Sequence, residues 1–292
     1  MATLVSSSLI ASNSSDANFR GWATFIRDIF ITTGGWVQTS DTGQMNFATV
    51  TAPIAANAKQ GYIVVRMNDA LQSTSPVFVR IDFGSGSGVA QTPGIWITIG
   101  TGSDGIGNIT NKRFDGGATA TATIFGSNSA VTNSSYGSAA PNRIQFALFV
   151  RATNFVLSLE RSKDATGADT GDGIIIIYNA STTQLNNQRY IILGQPAQPP
   201  VEAGIPYIIS SNNPSSFGGD VGIALPVPMK GYALPPGNGL LIVRANDFAV
   251  ESFFTVNIYG ITYSYQHVGS TLIVINLTGG ADANARVAIR FD

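Results

Sequence analysis

Apolar and polar residues alternate along most of the chain, in runs the length of a strand that are punctuated by Gly, Asn and Ser. Residues 76–83 set the pattern: Val77, Val79, Ile81 and Phe83 recur at every second position, the period of a strand with one buried face. Similar runs predict strands at 36–39 and 45–51 around a turn at 41–43, then at 61–67, 94–99, 118–125, 143–150, 154–160, 173–178 and 188–193. The pattern resumes at 207–210, 221–225, 240–244, 253–259, 261–265, 271–277 and 285–291, the last two reading as a hairpin around Gly279-Gly280. Strand character this close to the last residue implies a strand tied into a sheet, or an edge awaiting a neighbour.

One stretch departs from this period. Between Phe19 and Ile31, Trp22, Phe25, Ile26 and Ile29 fall at helical spacing, while the richness in Phe, Ile and Thr equally suits an extended strand. Residues 6–8 and 12–16 are runs of Ser, Asn and Asp, loop or arm material. The connections at 100–117 and 126–142 are long for a minimal sandwich and are candidate display loops. Residues 194–206 hold four prolines, which deny the backbone a sheet ladder; they read as a domain boundary or as a rigid crossing between two sheets. The fold class is therefore all-β, with sandwich or jelly-roll domains and at most one or two short helices. The expected organisation is a polar N-terminal arm at 1–18, a larger β-sandwich domain at 19–193, a proline-rich linker at 194–206 and a smaller β domain at 207–292.

Composition sharpens this picture mainly by exclusion. Charged residues are 11% of the 292, against the quarter usual in soluble domains, and Glu and Lys, the common solvent-face residues of long helices, are scarce. Cysteine is absent and there is one histidine, which rules out disulfides, thiolate zinc sites and a multi-histidine metal centre within the chain. Seventeen acids against sixteen bases argue against a broad nucleic-acid surface. No run approaches the ~18 apolar residues of a spanning helix, and the N-terminus has no basic leader, so synthesis without a cleaved leader and no membrane insertion are expected.

Candidate chemistry is sparse. Asp164, Asp169 and Asp172 sit in one glycine-containing loop; as hard oxygen ligands they suit a structural Ca²⁺, although the spacing is not that of an EF-hand and Asp-Gly pairs are ordinary turn formers. Asp104 and Asp115 form a second such cluster between glycines. His267 stands alone, without the partners a proton shuttle needs. Gly84-Ser-Gly-Ser-Gly88 lacks the Lys-Ser/Thr of a phosphate-binding loop. Tyr136 interrupts a polar loop, and Tyr263 and Tyr265 share a strand face; these are the candidate contacts for a glycan or receptor. Glycan cleavage would need a carboxylate pair on facing strands, and Asp82, Glu160 and Glu251 are the acids within strand-like runs.

In texture the chain resembles the structural proteins of tailed bacteriophages, the cysteine-free, Gly/Ser/Thr/Asn-rich β proteins that decorate heads, necks, tails or baseplates. The resemblance rests on the polar start, on residues 34–39 (Gly-Gly-Trp-Val-Gln-Thr), on the loop 234–239 (Leu-Pro-Pro-Gly-Asn-Gly) feeding a strand, and on residues 256–263. It implies a non-enzymatic virion component synthesised in the host cytoplasm, without a cofactor. Its partners would be copies of itself, other virion proteins and, through display loops, a host cell-surface glycan. A carbohydrate- or receptor-binding module and a polysaccharide-degrading enzyme are the alternatives.

Overall fold

The structure, a computed structural model, describes residues 2–10, 13–74, 76–86, 93–118, 143–151, 154–161, 170–178, 190–193, 224–226, 240–244, 253–258, 260–271 and 285–290. Side chains are described for 13–74, 76–86, 93–118, 253–257, 260 and 262–265. The chain separates into two compact units, one of residues 6–145 with 161–169, the other of residues 1–5, 146–160 and 170–292. The proline-rich stretch 194–206 lies outside the described residues, as does the predicted strand at 118–125 except for Ala118, which ends a 3₁₀ turn (Gly116–Ala118).

In order, the elements begin with strand β1 (Ala2–Ile10) and helix α1 (Asp16–Asp28). The stretch read as a polar arm thus contains a strand; no Gly, Pro or charge between residues 2 and 10 opposes one. The helical reading of 19–31 holds, because Phe19, Trp22, Ala23 and Ile26 make one fully buried stripe. Ser15, in extended geometry, caps the helix by accepting from Asn18 N at 3.2 Å, and Asp16 and Arg27 complement the dipole at its two ends. Asn13 ties this start to the sheet: its amide donates to Gly84 O at 3.1 Å and accepts from the Trp22 indole at 2.8 Å. The helix runs on into a π-helical turn (Ile29–Thr33), closed by Gly34 N donating to Ile29 O.

The sheet of this unit is built from β2 (Val37–Gln38), β3 (Lys59–Arg66), β4 (Phe78–Ser85), β5 (Pro93–Gly100) and, after the two-stranded β6 (Gly102–Ser103) and β7 (Ile109–Thr110), β8 (Phe114–Asp115). Its order is β2-β3-β4-β5-β8, antiparallel at every pair. One face carries Ile63, Val65, Val79, Ile81, Phe83, Ile95, Ile97 and Ile99, all fully buried. Phe83 meets Trp22 of α1 and Phe47, with ring centroids 5.7 and 5.8 Å apart. Each large side chain taken from water here contributes about 1.5–3 kcal/mol. The expected strand at 45–51 is a turn instead. The Asn46 side chain accepts from Ala48 N, and its carbonyl accepts from Thr49 N and Val50 N, a local alternative to a ladder. Met45 lies where a Cβ on Gly61 would be, 2.8 Å away, so this position of β3 needs glycine.

The remaining strands form two five-stranded sheets. One has the order β1-β9-β10-β11-β12, with β9 (Arg143–Arg151), β10 (Asn154–Arg161), β11 (Thr170–Tyr178) and β12 (Tyr190–Leu193). The other, ordered β13-β14-β17-β16-β15, is made of β13 (Ala224–Pro226), β14 (Leu240–Arg244), β15 (Phe253–Ile258), β16 (Ile261–Thr271) and β17 (Ala285–Arg290). The last strand, β17, is interior, paired with both β14 and β16. The architecture among the described residues is thus antiparallel β with one α-helix.

Candidate functional site

The second face of the β2–β8 sheet is partly covered, and by charges: Asp82 and Thr98 are buried and Arg80 and Asp115 half-buried. Positions of one parity on adjacent strands share a face, and the register aligns Tyr62, Asp82 and Trp96 in one row and Val64, Arg80, Thr98 and Asp115 in the next. Arg80 and Asp82, two residues apart, form a fork: Nε lies 3.1 Å from both carboxylate oxygens and Nη2 2.7 Å from Oδ1. The Arg80 Nη1 donates to Gly107 O at 2.9 Å, and the guanidinium stacks 3.9 Å above the Tyr62 ring. Asp82 is only 3% exposed, so this pair is a buried one on the carboxylate side.

The segment 101–118 roofs this face. Its β6–β7 pair folds back, and Tyr62 pins the tip: the hydroxyl shares its proton between Thr42 O at 2.7 Å and Ile106 O at 3.1 Å. Gly107, at φ +94°, leaves the space that the Tyr62 ring occupies. Asp41 holds the same tip by accepting from Ser103 Oγ and, at 2.9 Å, from Gly107 N. Burial pushes the Asp41 carboxyl up, but hydrogen bonds from Ser103, Thr39 and Gly107 outweigh it and hold it below the usual carboxylate range. Asp104 is likewise lowered, by donation from the Asn108 side chain and from the Ile106 and Asn108 amides.

Between roof and sheet is a pocket of about 220 Å³. Asp82 and Thr98, each 3% exposed, contribute its buried acceptors, and Arg80 and Lys59 line it beside them. Lys112 and Asp115, paired at 2.7 Å, line it from the β8 side, and Asn108 and Ile109 from the β7 segment. Lys59 donates to Gly117 O and lies 5.2 Å from the Trp96 ring centroid. Thr98 Oγ1 accepts from Gly117 N at 3.2 Å and lies 3.4 Å from Asp115 Oδ1. The result is donors and acceptors side by side, with each carboxylate facing a cation.

Of the acids read as strand-borne, Asp82 lines the pocket, together with Asp115, and Glu160 belongs to β10. Asp104 and Asp115 do not form one cluster: the first organises the β6–β7 tip and the second lines the pocket. Tyr136, Asp164, Asp169 and Glu251 lie outside the described residues. Asp172 belongs to β11 and His267 to β16, where it is opposite Ala288. Tyr263 and Tyr265 do share a face, but not a shallow surface patch: they are 8% and 0% exposed. In the β15–β16 register, Tyr265 faces Phe254 and Tyr263 faces Val256 on the inner side, and Phe254 stacks on Tyr265 at 6.0 Å; Phe253, Thr255, Asn257 and Thr262 are the outward positions. Among the described residues no group of three metal-ligating side chains comes together. The alternation at 78–83 already places Arg80 and Asp82 together opposite the apolar face; Lys59, Lys112 and Asp115 join them only through tertiary pairing.

No protein-family model, no curated protein and no solved structure matches the chain.

Proposed function

We propose that this chain is a non-enzymatic structural component of a bacteriophage particle, assembling through contacts between its own copies and with other virion proteins. In this reading its antiparallel sheets pair into sandwich or jelly-roll bodies. The observation that supports it is the use of charge in the 6–145 unit. Asp16 accepts from Ala52 N at 2.8 Å, Arg20 donates to Val50 O at 3.1 Å, Arg27 pairs with Asp28, Arg80 with Asp82 and Lys112 with Asp115, and Lys59 closes on Gly117 O. Charges engaged in this way stiffen the body. With only 11% of residues charged, most of the polar surface is uncharged and costs little to desolvate when a neighbour packs on it, and symmetric copies multiply weak contacts. Light scattering of the purified chain and an image of its native assembly test the reading. A homo-oligomer, or ordered copies on a particle, is the expected result; a monomer that joins no particle overturns it.

A second reading, a carbohydrate-binding module on the virion, is favoured by the mixed-charge pocket. It predicts retention on a glycan array.

A further inference from the structure

We propose that the pocket over β4 and β5 binds a single neutral pyranose ring. This rests on the carbohydrate-binding reading and names its site; it is independent of particle membership. Size is the first argument. At about 220 Å³ the pocket lies below the ~300–1,000 Å³ of sites for drug-sized ligands, room for one ring rather than a nucleotide or an extended chain.

The second argument is the polarity of its walls. Arg80, Lys59 and Lys112 are donors only, and the ionised Asp82 and Asp115 are acceptors only. A bound anion would face two carboxylates and a bound cation three basic groups. A hydroxyl both donates and accepts, so a ring bearing several of them satisfies alternating walls without displacing the ion pairs. The third argument is the close approach at Gly117. A Cβ there would stand 2.6 Å from Thr98 Oγ1, 3.5 Å from Asp115 Oδ1 and 3.8 Å from Asp82 Oδ2, so glycine lets the 116–118 turn close one wall of the pocket against that hydroxyl and the two carboxylates.

Ligand-observed saturation-transfer NMR on the full chain tests this, with methyl glycosides of glucose, galactose and mannose and with N-acetylglucosamine as probes. Glucuronate and glucosamine serve as charged comparators. The expected result is saturable, millimolar binding of a neutral probe. It should weaken about tenfold in Asp115→Asn, which loses a charged acceptor, and fall below detection in Gly117→Ala, where the new methyl, 2.6 Å from Thr98 Oγ1, forces the wall formed by Thr98 and the 116–118 turn apart. Lys112→Ala, at the exposed rim, supplies a second site variant if Gly117→Ala fails to fold. Binding unchanged in the variants that fold, or a preference for a charged comparator, overturns the site while leaving the carbohydrate reading standing. Absence of binding to every neutral probe also overturns the site, and an empty glycan array in parallel overturns the carbohydrate reading with it.

Discussion

The two faces of the β2–β8 sheet are covered by opposite means, one fully and the other in part. One is closed by aliphatic and aromatic side chains against α1, the other by an ion pair, a stacked guanidinium and a pinned strand pair. The first face is stabilised by apolar area, which is non-directional and tolerant of small rearrangement. The second depends on partners at fixed angles, so removing one group leaves another buried without its complement. Apolar packing on one side and polar fastening on the other can therefore be separated by mutation.

The largest expected effect is on the apolar face. Phe83→Ala removes a ring held between Trp22 and Phe47 and should lower unfolding free energy by about 3–5 kcal/mol, read from chemical denaturation. Next is Arg80→Met, which strands the Asp82 carboxylate. A loss of about 2–3 kcal/mol is expected, below the full cost for a buried pair because the Arg80 side chain keeps 24% of its exposure. Adding Asp82→Asn should restore part of it, and no restoration would mean that the fork adds little. Ser15→Ala tests the helix cap that brings α1 to the apolar face, at about 1 kcal/mol. Lys112→Ala, at an exposed ion pair, should cost no more than about 0.5 kcal/mol.

Acid gives a finer cut between the faces. The folded Asp41 carboxyl lies below its unfolded value of about 3.9, so its contribution is fully present above that value and is lost as pH falls through the folded one. Denaturation curves taken from neutral to strongly acid pH should therefore decline less steeply below pH 4 in Asp41→Asn than in the parent chain. An unaltered acid limb would remove Asp41 from the fastening of the roof.

Alternation made β3, β4 and β5 legible, because each has a face that must be apolar. It made α1 legible as one of two readings, settled by a stripe that only a helix can put on one side. It failed at 45–51, where a period of two concealed an Asn that bends its own backbone. Tyr263 and Tyr265 show the limit of the same rule: a period of two says that two rings share a side, and burial decides which side is inward. The pocket was half legible, since Arg80 and Asp82 are neighbours by parity, while Lys59 enters through an irregular β3–β4 register and Asp115 through a short edge strand.

All three tryptophans of the chain, Trp22, Trp36 and Trp96, belong to the 6–145 unit and are at most 3% exposed. Indole emission is consequently a private optical channel for that unit, blue while it is intact and red once it opens. Strands 224–290 melt silently at this wavelength, so fluorescence and far-ultraviolet dichroism followed together would time the two units independently within one sample.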